Sequence, residues 1–305
     1  MLRPARLRAR LVLVLLAAMA TVAAACGADD DPTTTRPFVI GAIPDQDPEK
    51  LQRLYATFAT YLSGRLGVPV EYRAVTDYTA AVTLFRAGDL DMVWFGGLTG
   101  VQARVQVAGA KALVQRDIDE AFHSVFIANT AAGLTKVDDL NGLGQLKGRR
   151  FTFGSESSTS GRLMPQYFLD QAGVTTGDFA GQAGYSGSHD ATIAVVQAGT
   201  FEAGALNEQV WKARTESGQV DLTKVQEIFR TPAYHDYHWV LRPDVASRYP
   251  AGFEELLTRA FTDLDATDPT AKEILDLFGA KRFIPTQNSN YAQIEAVARR
   301  IGLLS

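Results

Sequence analysis

Short unbroken apolar runs alternate along this chain with segments whose apolar residues recur every third or fourth position. Phe38-Val-Ile-Gly41 is of the first kind and predicts a buried strand. Leu51, Leu54, Tyr55, Phe58, Tyr61 and Leu62 are of the second kind and predict an amphipathic helix. Gly64 and Gly67 are expected to break that helix, and Val68 to Val75 reads as a second strand. A helix over Tyr78 to Arg86 closes at Gly88, and Leu90 to Phe95 gives a third strand. Strands alternating with helices favour a parallel α/β sheet.

The same plan recurs further along. Thr76-Asp-Tyr-Thr-Ala-Ala-Val opens a helix ending in Ala87-Gly88, before a strand closing at Phe95-Gly96. Ser188-His-Asp-Ala-Thr-Ile-Ala opens another ending in Ala198-Gly199, before a strand closing at Leu206-Asn207. Laid over each other, Tyr78 falls on His189, Gly88 on Gly199, Gly96 on Asn207, and Ile40-Gly41 on Phe153-Gly154. Two similar lobes follow, each a mostly parallel sheet flanked by helices. Lobe 1 is residues 38–124 with 235–305, and lobe 2 is residues 125–234. Phe122–Ala128 leads into lobe 2, and Val225–Phe229 with Tyr237–Leu241 leads out of it, so these runs mark two crossings. Helices around Phe253–Leu264, Ala271–Phe278 and Tyr291–Ile301 are expected to return to lobe 1. Ligands of open α/β sheets bind beyond the carboxyl ends of the strands, so two facing lobes make a cleft.

The densest local chemistry lies in Phe151-Thr-Phe-Gly-Ser-Glu-Ser-Ser-Thr-Ser-Gly-Arg162, where Ser157, Ser158, Thr159 and Ser160 stand between a strand and a helical pattern. The first amides of a helix lack internal acceptors and its dipole leaves that end partly positive. Hydroxyls gathered there can seat a small oxyanion. An ordinary N-cap is the competing reading, since one such hydroxyl is common there. Arg162 either reaches the anion or faces solvent.

The N-terminus changes the setting. Arg3, Arg6, Arg8 and Arg10 precede an apolar stretch, Leu11 to Ala25, too short for a stable span. Ala23-Ala-Ala25 then precedes Cys26, the only cysteine. This resembles a bacterial lipoprotein signal over residues 1–26, with Cys26 as the lipid attachment point; a plain secretory signal is the alternative. Residues 27–37, rich in Asp, Thr and Pro, read as a flexible tether. The net charge is −4 with both signs interspersed, which excludes a nucleic-acid binder's basic stripe. The expected product is an extracytoplasmic body anchored to the outer face of the cell membrane through lipid alone.

Thr76-Asp-Tyr78, Ser158-Thr-Ser-Gly161 and Ser188-His-Asp190 resemble motifs of substrate-binding proteins of ABC importers, in the phosphate/phosphite/phosphonate-binding group with the type II periplasmic-binding-protein fold. Gly41-Ala-Ile-Pro-Asp-Gln-Asp-Pro48, Trp94-Phe-Gly-Gly-Leu-Thr-Gly100 and Gly204-Ala-Leu-Asn-Glu-Gln-Val-Trp211 are similar to a subgroup described as selenate importers. The resemblance implies that Tyr78, Ser158, Thr159, Ser160, His189 and Asn207 bind the ligand. Ser157, Phe95, Gly96 and Asp236 are further candidates. It implies no cofactor, no metal, no catalytic residue, a monomer, and an ABC permease with its ATPase as partners. Phe95-Gly96 replaces the tyrosine-containing turn common in phosphonate binders.

This shell is rich in donors, which tilts the expectation towards a proton-free dianion such as sulfate or selenate. Asp45 and Asp47 are expected to face solvent or cap the first helix, since either would repel an anion. Glu156 and Asp190 are the other carboxylates near the shell. Trp94 and Trp211 read as core, His123 as a satisfied core residue, and His235 and His238 as hinge or rim residues. Two other classes stay open: a serine hydrolase using the serine cluster with His189 and Asp190, and a type II receptor for a small organic ligand. A signalling rather than transport role is a third. Against the hydrolase, no G-x-S-x-G elbow is present, and the four histidines lack zincin spacing.

Overall fold

The computed structural model describes residues 36–304. The leader with Cys26, and the tether as far as residue 35, lie outside the described residues.

Two sheets organise the chain. Strands β1 (Phe38–Ala42), β2 (Val70–Tyr72), β3 (Met92–Phe95), β4 (Lys111–Arg116), β10 (His238–Leu241) and β11 (Phe283–Pro285) form one, in the order β11-β4-β10-β3-β1-β2. Strands β5 (Ser124–Asn129), β6 (Phe151–Phe153), β7 (Gly184–Tyr185), β8 (Ala203–Asn207) and β9 (Val225–Arg230) form the other, in the order β7-β6-β8-β5-β9. The repeated unit is parallel in both: β2-β1-β3 in the first sheet and β7-β6-β8 in the second. Next to it comes an antiparallel strand contributed by the other half of the chain, β10 against β3 and β5 against β8. Both sheets are therefore mixed, because a strand returning from the opposite lobe enters in the reverse direction.

Helices follow the same duplication. In the first half these are α1 (Pro48–Leu66), α2 (Tyr78–Ala87) and α3 (Gly97–Gln106). The second half has a π-helical turn (Thr159–Leu163) continuing into α4 (Met164–Gln171), then α5 (His189–Gln197) and α6 (Glu208–Glu216). Gly64 does not break α1. Its cost of about 1 kcal/mol is outweighed by burial of Leu51, Leu54, Tyr55, Phe58 and Leu62 along one face. The helix ends instead at Gly67, whose φ of 68° no β-carbon-bearing residue adopts cheaply. Asp77 caps α2 through Ala80 N at 2.7 Å, and Ser188 caps α5 through Ala191 N at 3.3 Å. These equivalent caps aim Tyr78 and His189 from equivalent helix starts.

The C-terminal helices α7 (Phe253–Thr262), α8 (Pro269–Phe278) and α9 (Ala292–Arg300) cover the first sheet. Trp239 is fully buried there, against Tyr55, Phe58, Trp94, Phe261 and Phe278. Lobe 2 has a smaller core on each face of its sheet, one around Phe126, Phe151 and Phe179, the other around Ile127, Val196 and Trp211.

Two segments, 117–123 and 231–237, carry the chain between the sheets. They are tied by reciprocal bonds, Phe122 N to Tyr234 O at 2.9 Å and Tyr234 N to Phe122 O at 3.0 Å, and by Asp236 N to Asp119 O at 3.1 Å. Arg116 binds Asp119 through Nε and Nη2, each at 2.7 Å, in a buried pair at the start of the first crossing.

Candidate functional site

The hydroxyl turn sits at the end of β6. Gly154 N donates to Gly161 O at 2.8 Å and Gly161 N donates to Ser158 Oγ at 3.0 Å, so the turn is closed on itself. Ser158, Thr159 and Ser160 are each no more than 2% exposed. Ser157 is half-buried and stays outside this group. Thr159 and Ser160 open the turn, so their amides have no acceptor within it. Ser160 Oγ is buried with no hydrogen-bond partner in the protein. Thr159 Oγ1 is engaged across the cleft, accepting from Leu98 N at 2.9 Å at the start of α3.

Lobe 1 supplies the opposite wall. Tyr78, at the first position of α2, is buried, and its hydroxyl also lacks a protein partner. Burial first, and then the charge of Asp45, push its pKa well above the ordinary value, while the Ser158 hydroxyl beside it pulls the other way. The phenol is therefore a donor at any physiological pH. Gly96 caps α3, and a β-carbon there would lie 3.1 Å from Thr159 Oγ1 and 3.3 Å from Asp236 Oδ1. A side chain at this position would wedge the lobes apart. Phe95 points away from this locus and packs edge-on to Phe85 in the core.

Asp236 enters from the second crossing. Its Oδ1 accepts from Gly97 N at 2.9 Å, and its Oδ2 is buried without a partner in the protein. Burial raises its pKa to about 7, against the Gly97 amide and the Thr159 hydroxyl, which favour the charged form. Three orphaned polar atoms, Tyr78 OH, Ser160 Oγ and Asp236 Oδ2, thus come from lobe 1, lobe 2 and the crossing between them.

His189 and Asn207 lie on the same side of the cleft as the hydroxyl turn, with His189 Cε1 only 3.3 Å from the place a Gly161 β-carbon would occupy. Their polar atoms are more heavily engaged than the sequence suggests. Asn207 Oδ1 caps α6, accepting from Gln209 N at 2.7 Å and Val210 N at 3.1 Å, while Nδ2 donates to Tyr237 OH at 3.0 Å. Asn207 N donates to His189 Nδ1 at 3.4 Å, which leaves the ring proton on Nε2, 3.2 Å from Tyr237 OH. Burial lowers the His189 pKa to about 4, so the ring is neutral.

Two residues of this network escaped the sequence reading. Asp45 was expected to face solvent or cap the first helix; it does neither, being 3% exposed and accepting from Tyr237 OH at 2.8 Å. Burial raises its pKa, and the Tyr237 hydroxyl and Arg116 partly offset that rise. Tyr237 itself is buried, stacked on Trp94 at 5.7 Å between ring centroids, with the Arg116 guanidinium over its face at 5.0 Å. The polar–aromatic run His235-Asp-Tyr-His238 was the available signal. Asp47 caps α1 through Lys50 N at 2.9 Å, as one of the two expected alternatives had it.

The remaining candidates take structural places. Asp190 Oδ2 accepts from Asp47 N at 2.8 Å, and Asp190 pairs with Arg214 at 2.7 Å, so it joins the lobes rather than facing the cleft. Glu156 is exposed. Arg162 is not solvent-facing: it lies over Phe153 at 4.6 Å and Tyr185 at 5.5 Å, with Nε and Nη1 buried and without a partner in the protein, so its other expected place, beside the anion, stays open to it. His238, expected at the hinge or the rim, opens β10 directly after the second crossing and is not on the rim. It is fully buried, stacked on Tyr291 at 3.7 Å, with Nδ1–H donating to Asp236 O at 3.0 Å. His123 is half-buried beside the crossing and satisfied by Thr231 O at 2.6 Å. Trp94 and Trp211 are buried.

No triad is assembled from these groups, because His189 Nε2 faces Tyr237 and Asp190 faces Arg214. Comparison with known proteins agrees. Residues 40–291 match the family described as "ABC transporter, phosphonate, periplasmic substrate-binding protein". A relative from Prochlorococcus marinus (strain MIT 9301), the probable ABC transporter phosphite-binding protein PhnD1, is 48% identical over 86% of this chain and 89% of its own length. The structure of that PhnD1 with methylphosphonate superposes with a TM-score of 0.85, covering 88% of this chain and 99% of that one. The phosphate-import protein PhnD of Mycolicibacterium smegmatis is 26% identical over 70% of this chain and 71% of its own. The two mixed, strand-exchanged sheets are the type II periplasmic-binding-protein fold, and the chain belongs to the periplasmic substrate-binding proteins of phosphonate ABC transporters, a family of binding proteins rather than enzymes.

Proposed function

We propose that this protein captures a small tetrahedral phosphorus oxyanion that retains a proton, phosphite or a phosphonate of methylphosphonate size, and delivers it to an ABC permease. The carrying observation is the trio of buried, unpartnered atoms described above: two hydroxyls and one carboxylate oxygen. Tyr78, Ser158, Ser160 and the amides of Thr159 and Ser160 act as donors. His189 and Asn207 border the anion, and Asp236 Oδ2 accepts the one proton that remains between carboxyl and ligand. A donor-only shell would suit sulfate or selenate; Asp236 among the donors suits a ligand that shares a proton with it, since in its ionised form it would face a proton-free dianion with repulsion and desolvation. On that ground we favour a phosphorus oxyanion over selenate. The names of the 48%-identical relative and its ligand support the same substrate class.

Lipidation of Cys26 would hold the body on the outer face of the cell membrane within reach of the permease. Calorimetry of the protein with phosphite, methylphosphonate, phosphate, sulfate and selenate tests the substrate. Tight reversible binding of a phosphorus oxyanion, without turnover, is expected; preference for sulfate or selenate at neutral pH would overturn the reading.

A further inference from the structure

The Tyr237 hydroxyl joins the two lobes and the second crossing at one atom. A phenol has one proton to give and two lone pairs to receive with. Here the proton goes to Asp45 Oδ2 of lobe 1 at 2.8 Å, and the lone pairs face Asn207 Nδ2 at 3.0 Å and His189 Nε2 at 3.2 Å, both of lobe 2. The residue itself sits at the end of the second crossing, next to Asp236. All three groups around it are no more than 3% exposed. The bonds surrounding it also run between lobes: His189 N donates to Asp45 O at 3.1 Å, and Arg116, over the Tyr237 ring, donates to Gln209 Oε1 at 2.6 Å.

Separation of the lobes leaves this hydroxyl with Asp45 or with the His189–Asn207 pair, but not both. Loss of the first contact leaves the Asp45 carboxylate, and loss of the second leaves the Asn207 and His189 donors, to exchange the phenol for water. The full set is satisfied only in the closed form. Tyr237 does not need to touch the anion to affect how long it stays.

We propose that Tyr237 is a positioning residue for ligand retention: its hydroxyl fastens the His189–Asn207 wall of lobe 2 to Asp45 of lobe 1, stabilising the closed form and setting the dissociation rate. The proposal rests on the assignment of this cleft as the oxyanion site. The phenylalanine variant keeps the ring stacked on Trp94 and removes only the hydroxyl.

Stopped-flow binding of phosphite and methylphosphonate separates the two rates, and lobe closure can be followed by fluorescence transfer in the full-length protein carrying Cys26→Ser, Glu71→Cys and Leu222→Cys, the last two being exposed positions in opposite lobes. Tyr237→Phe is expected to speed dissociation about tenfold, the worth of one buried hydrogen-bond set, with the association rate unchanged and a smaller closed fraction at saturation. Asp45→Ala should do the same, Asp45→Asn should recover most of the retention because its amide oxygen still accepts, and Tyr237→Phe with Asp45→Ala should dissociate no faster than about twice the rate of either single variant. Multiplicative effects in the double variant, or a Tyr237→Phe protein that closes and dissociates like the parent, would overturn the proposal while the site assignment stands. If the unsubstituted protein binds neither anion, site assignment and proposal fall together.

Discussion

Replacing Asp236 by Asn should invert the preference of the cleft among oxyanions. Asp236 Oδ1 is held by Gly97 N–H at 2.9 Å, so an amide in its place keeps its oxygen there and presents its NH2 where Oδ2 now stands. An acceptor becomes a donor at one ligand oxygen, with little change in shape. For a ligand that brings a proton, one charge-assisted hydrogen bond of about 1.5–3 kcal/mol is lost. For sulfate or selenate, a donor replaces a repelling carboxylate and contributes a term of about the same size. The ratio of phosphite to sulfate affinity should therefore fall by about 3 kcal/mol or more, roughly a hundredfold at the least. Competition calorimetry at pH 7 on the parent and Asp236→Asn, with phosphite, methylphosphonate, sulfate and selenate, reads this ratio directly. A variant that weakens all four anions by one common factor would refute the reasoning, since it would make Asp236 a scaffold for α3 rather than the ligand's acceptor.

Tyr78→Phe and Ser160→Ala remove hydroxyls that have no partner in the protein, so each should weaken the best ligand by about tenfold and leave the ligand-free melting temperature unchanged or raised; calorimetry and thermal unfolding of the same samples check both halves. Gly96→Ala puts a methyl 3.1 Å from Thr159 Oγ1 and should lower affinity mainly by holding the lobes apart, visible in small-angle scattering as a ligand-saturated protein that stays expanded. The raised pKa of Asp236, about 7, gives a stability contribution that is complete below its unfolded value near 3.8 and is lost as pH rises through 7. Asp236→Asn abolishes that loss, so its stability relative to the parent should grow by up to about 4 kcal/mol between pH 4 and pH 7 in urea titrations. The neutral His189, with its pKa near 4, loses stability in the opposite direction as pH falls, but equally in both proteins.

The duplicated plan was legible because it is written in local signals. Asp77 and Ser188 as caps, Gly88 and Gly199 as stops, and the apolar periodicity between them depend on neighbours a few residues away. That register alone placed Tyr78 and His189 at equivalent helix starts. The crossings were legible as runs between lobes, but the direction of the exchanged strands was not, because nothing local in His238–Leu241 or Ser124–Asn129 says that the strand will enter antiparallel. The polar network was least visible of all. Asp45 was read as repelling an anion, which is right for a bare charge and wrong for a carboxylate answered by a phenol. Thr159 was read as a ligand donor and Asn207 as a ligand contact of either polarity, yet their side chains first meet Leu98 N–H and the start of α6, partners that only tertiary closure brings near.

The exchanged strands also govern how this chain can be made. β10, central in the first sheet, lies more than a hundred residues beyond β3 and β4, the strands it separates, and all of lobe 2 is synthesised in between. During export the leading half cannot complete its sheet until the trailing half has emerged. Such non-local pairing is slow to form, so completion of the first sheet waits on nearly the whole chain.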